Sequence, residues 1–401
     1  MRIAFVADGR AEHARRWIRY FAEAGDDILL VSTFPAAAIP GVRQDTCPGV
    51  VRAGTAFQKI LADHVFHNAW RRGGVLLRVV ARSQHAYSMW QTLRVLEVPW
   101  QAASARRAVE AFRPEVVHAM RVQCEGYITA RLNVRPWILS VWGADFMLFS
   151  RTNPLQRWMT ARTIQCVDAL TADCQRDLDT ARRLGLPPRA PARFFPGNGG
   201  VNLASYRMGV PAADRSRLVV CARGVAPYIR LDTMFRAFRR LLEGGVGGVR
   251  LVVVVQTAFV EVVRKMALKE GLCPETVDVR SFMGPQDWVE LLRHAAVLVS
   301  PSLVDGTPNS MLEGMACGAF PVMSRLDSIA EWVEDGVNGF LFDARDPQEL
   351  ASCLSVAMED TELRRTSQEL NRALVGKRAD QSKVMPDVRE LYRELASTKR
   401  A

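Results

Sequence analysis

The chain is short of the features that would narrow its chemistry at a glance. Eight cysteines are scattered along 401 residues and never form a C-x-x-C pair. That spacing excludes a zinc ribbon and a disulfide framework, and free thiols in a reducing cytoplasm are expected. No apolar run approaches the roughly 20 residues that a membrane-spanning helix needs. Met1 to Phe5 lead straight into strand-like sequence, without the basic and apolar regions of a secretory leader, so none is expected. Internal repeats and low-complexity tracts are missing. So are helix-turn-helix, RNP, KH and zinc-finger patterns, and no nucleic-acid partner is expected. His64, His67 and His85 carry no acid or cysteine partner at ligand spacing; they read as structural, and no metal is expected.

What is present suits two α/β domains. The length is too great for one core, and 49% hydrophobic with 24% charged residues is globular rather than disordered. The formal net charge of +11 calls for a reason. It can serve anionic ligands or the anionic inner face of a membrane, and with the free thiols and no leader a cytoplasmic protein, or one peripheral on that face, is expected. A preference for arginine over lysine would also raise the count without any function.

The stretch SPSLVDGTPNSMLEGMACG, Ser300 to Gly318, organises the rest. Ala295 to Val299 before it has the look of a buried parallel strand. Thr307 is expected to cap a helix with Pro308 at its first position, running to about Cys317 and stopped by Gly318. Strand, loop, helix and the following AFPVM strand form half of a doubly wound sheet, whose ligands bind at the strand carboxyl ends. The amides of Asn309 and Ser310 would favour an anion such as a pyrophosphate. Glu313 shares their helix face and can grip the two hydroxyls of a ribose. Asp305, at the loop tip, can hold a second polyol. A turn, a cap and two solvated acids are the plainer account of the same letters.

The spacing from Asp305 to Glu313 resembles the E-x7-E signature of retaining glycosyltransferases with the GT-B fold, family 4 (group 1). PSLVDGTPNSMLEGMACGAFPVMSRLDSIAEWVEDGVNGFLF keeps that family's glycines, proline and both acids in register, with Asp in place of the first Glu. The resemblance implies two doubly wound Rossmann-like domains facing a cleft. Residues 1–205 would bind the acceptor, 206–380 the nucleotide-sugar donor, and 381–401 would be a helix packing back toward the first domain. It implies transfer of a sugar from a nucleoside-diphosphate sugar to an acceptor hydroxyl, without cofactor or metal. A nucleotide-sugar epimerase on the same fold and a catalytically weak sugar-nucleotide binder stay open as alternatives.

In the first half, MRIAFVADG, the amphipathic His13–Ala24 and DILLVS make a βαβ opening. By resemblance Gly9 approaches the donor diphosphate, although the family's double glycine is reduced to one. His13 is an acceptor-side residue or a helix-start histidine. Residues 55–112 are helical in pattern, with aromatics and arginines interleaved; they are domain helices or a membrane-surface segment. EVVH resembles the family's DVVHAH with Met120 at the second histidine, and His118 is a site or a core residue. In WGAD, Gly143 would let backbone approach the donor, and Asp145 meets acceptor hydroxyls or caps a helix.

In the second half, RLVVCARG places Arg223 where the family's first phosphate-binding cation stands. Ile229 takes the place of the second, a lysine, and Arg230 beside it is the candidate. Phe282 and Met283, at the end of DVRSFMG, lie by resemblance against the nucleotide base, or belong to the core. Polar Ser205–Ser216 reads as the linker. The resemblance thus implies catalytic roles for Asp305, Arg223, Arg230 and His118. It implies donor contacts for Gly9, Phe282, Met283, Gly306, Thr307, Pro308, Asn309, Ser310 and Glu313, and acceptor contacts for His13, Gly143 and Asp145.

Overall fold

Runs of Val, Ile and Leu that are apolar on both faces cannot sit on a half-solvated sheet. They form parallel strands covered by helices on each side. The computed structural model describes residues 1–47, 84–151, 153–226 and 228–398. The expected amphipathic segment up to residue 83, with His64 and His67, lies outside them, as does the side chain of His85. The chain divides into two units: Met1–Gly199 with Met385–Ala401, and Gly200–Val384.

The first unit is a seven-stranded parallel sheet. Its strands are β1 (Arg2–Ala7), β2 (Asp27–Ser32), β3 (Val42–Thr46), β4 (Val116–Met120), β5 (Trp137–Val141), β6 (Ala169–Ala172) and β7 (Ala192–Phe194). Spatial order is β3-β2-β1-β4-β5-β6-β7. Ile3 of β1 pairs with Ile28 on one side and Val116 on the other. Helices α1 (Glu12–Glu23), α2 (Gln84–Phe112), α3 (Pro154–Ile164) and α4 (Gln175–Arg183) belong to this unit.

The second unit repeats the design with six strands: β8 (Ser216–Cys221), β9 (Arg250–Val255), β10 (Val277–Ser281), β11 (Ala295–Ser300), β12 (Phe320–Ser324) and β13 (Phe340–Phe342), in the order β10-β9-β8-β11-β12-β13. Its helices are α5 (Leu231–Glu243), α6 (Val260–Lys269), α7 (Pro285–His294), α8 (Asn309–Cys317), α9 (Pro347–Glu359) and α10 (Thr361–Arg378). A last helix, α11 (Gln381–Thr398), belongs from Met385 onward to the first unit. There Tyr392 is buried and accepts a hydrogen bond from Trp17 Nε1 at 3.0 Å.

Strand order reverses direction at β1/β4 and again at β8/β11. Loops leaving two such neighbours go to opposite faces and open a crevice between them. Helix α8 is pressed onto β11: a Cβ at Gly314 would stand 2.8 Å from Leu298 Cδ2. Gly318 ends α8 at φ +86°, a left-handed conformation that glycine adopts without strain. The stretch expected to be a linker is bound into the second unit instead. Tyr206 and Arg215 within it are buried, and Arg215 donates to the carbonyls of Leu292 and Ala295.

Candidate active site

At the β8/β11 crevice the two outgoing loops are tied by backbone. Arg230 N donates to Pro301 O and Leu303 N to Tyr228 O, each at 2.8 Å. This pairing sets the loop after β8 beside the tip of the loop after β11. Arg223 Nη2 donates to Asp305 Oδ2 there, and the two side chains are only 17% and 13% exposed. Gly306 N donates to Asp305 Oδ1 at 3.1 Å, and Ser328 Oγ to the Asp305 carbonyl at 2.8 Å. Two residues 82 positions apart, expected separately at phosphates and sugar, form one charged pair.

Helix α8 begins one residue later than expected. Pro308 occupies the cap position with an extended backbone, and no side chain caps the helix. Thr307 is no cap: it is buried, and its Oγ1 accepts from Trp332 Nε1 at 3.2 Å. An uncapped helix start leaves its first amides without intrahelical partners, so Asn309 and Ser310 keep the anion-binding geometry. Asn309 Oδ1 is buried without a hydrogen-bond partner among the described residues. A ligand hydroxyl would satisfy it.

Glu313 is not solvated; it is 4% exposed. Tyr206 OH donates to its Oε1 at 2.9 Å and Trp288 Nε1 to its Oε2 at 2.7 Å. Reading the sequence missed both partners. They lie on other elements, and nothing in a lone Tyr or Trp announces such a bond. Tyr206 is itself held, because Arg372 of α10 donates to its carbonyl and, at 2.8 Å, to that of Ala316 in α8.

Arg230 faces Asp232, with Nε–Oδ1 and Nη2–Oδ2 both at 2.8 Å. That hydrogen-bonded pairing holds the Asp232 carboxyl down at about 2. The guanidinium fork proposed for phosphate is therefore engaged internally. Phe282 lies just past β10, 60% exposed, its amide donating to Val255 O at 2.9 Å; Met283 beside it is partly buried.

The first unit corrects three expectations. Gly9 is buried and donates its amide to Ser32 Oγ at 3.0 Å, while its carbonyl accepts from Arg15, so its backbone is engaged within the unit. His118 is fully buried. Nε2 faces Ser140 Oγ at 2.7 Å, Nδ1 meets Tyr392 OH, and burial pushes the imidazole down to about 3. It is a neutral core histidine. Asp145 neither meets solvent nor caps the helix that follows it: it accepts from Arg121 Nη2 at 3.0 Å and from Val122 N at 3.2 Å. Arg121 sits at φ 127°, a region costly for any side chain, and that ion pair helps to hold it.

His13, early in α1, stacks edge-on against Trp142 with ring centroids 4.6 Å apart; burial, then the Arg121 charge, lowers it to about 4. Gly143 follows Trp142 at φ +54°. Glu125, unremarked in the sequence, is buried at the same strand ends. Its Oε1 accepts from Thr33 Oγ1 at 2.8 Å, and burial raises its pKa. Among the described residues one group, Asp173, Cys174 and Asp177, has ligand atoms close enough to hold a metal, but Arg176 Nε already donates to Asp177 at 3.0 Å.

Comparison with known proteins agrees with this architecture. The family model described as glycosyl transferases group 1 matches residues 215–360, and the glycosyl transferase 4-like model matches residues 92–174. The chain belongs to the group 1, family 4-type glycosyltransferases with the GT-B fold. An N,N'-diacetylbacillosaminyl-diphospho-undecaprenol α-1,3-N-acetylgalactosaminyltransferase of Campylobacter jejuni is 33% identical over 78 residues. That stretch is 20% of this chain and 21% of the relative. Sucrose-phosphate synthase from Thermosynechococcus elongatus superposes with TM-score 0.73 at 15% identity, over 99% of this chain and all of that one. Anabaena HepE, in complex with UDP and glucose, gives TM-score 0.71 at 15% identity, over 98% of this chain and all of HepE.

Proposed function

We propose that this chain transfers a sugar from a nucleoside-diphosphate sugar to an acceptor hydroxyl, with retention at the anomeric carbon. The observation that carries the reading is the Arg223–Asp305 pair at the β8/β11 crevice, one turn from the open start of α8. The bond from the anomeric carbon to the β-phosphate oxygen breaks while the bond to the acceptor oxygen forms on the same face. The acceptor proton goes to the departing phosphate oxygen, which removes the need for a separate base.

Charge builds on the diphosphate as it leaves. Arg223 and the amides of Asn309 and Ser310 neutralise it where it develops. Arg230 adds to that field only by sharing or leaving Asp232. Asp305 accepts from sugar hydroxyls, with the backbone of Gly306 to Asn309 closing round the ring, and Asn309 Oδ1 offers a further acceptor. Glu313, its plane fixed by Tyr206 and Trp288, takes the ribose diol, and exposed Phe282 offers its face to the base. HepE, of like fold, is seen with UDP, so a uridine donor is tried first.

A thermal-shift panel of UDP-, GDP-, ADP- and dTDP-sugars tests the reading. One donor should raise the melting temperature and be consumed when acceptors are supplied. Glu313→Ala should abolish the rise with the fold intact; a variant that responds like wild type removes Glu313 from the site. Binding without turnover across acceptor classes favours the catalytically weak binder.

A further inference from the structure

Charge is divided unequally between two units of similar topology. The first holds 31 Lys and Arg against 19 Asp and Glu, a surplus of 12. The second holds 22 against 23, a deficit of 1. The donor is an anion and is assigned above to the second unit, so the basic surplus serves something else.

Among the described residues, helix α2 offers one face suited to such a role. Its inner face buries Val95, Val98, Ala102, Ala105 and Val109 in the core. The opposite stripe, at helical spacing, exposes Leu96 (58%) and Trp100 (70%), followed by Ala103 and Arg107. Helix α3 packs alongside α2 and exposes Trp158 (58%) between Arg157 and Arg162, the first directly before it and the second one turn on. Two exposed indoles and a leucine contribute nothing to the core they lie outside.

We propose that this face of the first unit docks on an anionic bilayer surface. Indole rings settle at headgroup depth with their apolar body toward the acyl chains and N–H toward water. The arginines reach lipid phosphates, and their stems lie along the apolar boundary. A nucleic acid or an acidic protein would be drawn by the same charge, but neither needs Leu96 and Trp100 bare beside it. The reading of the charge surplus rests on the donor assignment above, but the exposed indoles do not, and vesicle binding is read whether or not sugar is transferred.

Vesicle pelleting with the full chain tests it, using phosphatidylcholine alone and phosphatidylcholine mixed with phosphatidylglycerol. Wild type pellets with the anionic vesicles and stays in solution with the neutral ones, and the binding weakens as salt shortens the Debye length. Leu96→Ser with Trp100→Ser lowers partitioning about tenfold or more without moving the melting temperature. Trp158→Ser, on a separate helix, lowers it in the same direction and guards against a folding defect in the first variant. Failure to pellet with anionic vesicles overturns the proposal. So does a double variant that pellets like wild type, since attraction would then be charge alone. Retention by duplex DNA that outcompetes the vesicles would assign the surplus to nucleic acid.

Discussion

Around the reversal of strand order in the first unit, polar groups of the strands and of the loops that leave them are satisfied within the unit. Gly9 answers Ser32, His118 answers Ser140 and Tyr392, and Asp145 answers Arg121 and Val122. At the matching reversal of the second unit, the loops leaving β8 and β11 bring a cation, an acid and an uncapped helix start to one place. The same topology therefore serves as a packed junction in one unit and as a chemical corner in the other. Strand order says where a site can lie; the hydrogen-bond partners say whether one does.

Four substitutions test that contrast, the largest expected effect first. Arg223→Ala should cut turnover about 10²–10³-fold, as loss of one stabilising donor does, with some loss of stability because the Asp305 carboxylate loses that ion-pair partner. A near wild-type rate would erase the chemical corner. His118→Ala should do the reverse: about 2–4 kcal/mol of stability lost through a cavity and one hydrogen bond fewer at each of the Ser140 and Tyr392 hydroxyls, with the donor-induced shift retained. A stable but inactive His118 variant would return that residue to the chemistry.

The same histidine makes a pH prediction. Its pKa falls from 6.5 to about 3 on folding, because burial disfavours the charged ring. Below 6.5 the unfolded chain binds a proton that the folded one refuses until about 3. Its contribution is therefore complete above that window and declines as pH falls through it, by at most about 1.4 kcal/mol per pH unit. Denaturant midpoints against pH, compared with His118→Gln, would read the slope; identical slopes would count against a buried neutral ring.

Gly9→Ala ranks next. The new Cβ would stand 2.7 Å from Ser32 Oγ and 2.9 Å from Ala36 Cβ. A destabilisation of about 1–3 kcal/mol should follow, seen in urea midpoints, with donor affinity unaffected. The smallest effect is Tyr206→Phe, which should weaken donor binding about three- to tenfold while kcat holds, because it loosens Glu313 without removing it. Equal loss of kcat would place Tyr206 nearer the reacting atoms.

Much of the second unit could be read in one dimension. The apolar run at 295–299 became β11, the helix ran to Cys317, and Gly318 ended it in the left-handed conformation. Such features depend on periodicity and on neighbours within one turn, so they are written locally. Thr307 was misjudged because Trp332, not a helix amide, reached its hydroxyl. The charge partition was invisible until the chain was divided in space, since +11 is a sum without an address.

Local spacing was enough to establish parallel α/β architecture, and the motif at 300–318 was enough to point to the crevice at β8 and β11. Which carboxylates stay open to a ligand was set by pairings across the fold: Glu313 with Tyr206 and Trp288, Asp305 with Arg223, Asp145 with Arg121. A buried polar group must find a partner, and the nearest one in space is often far away in the chain. Folding therefore chooses among partners that no short stretch of letters can rank.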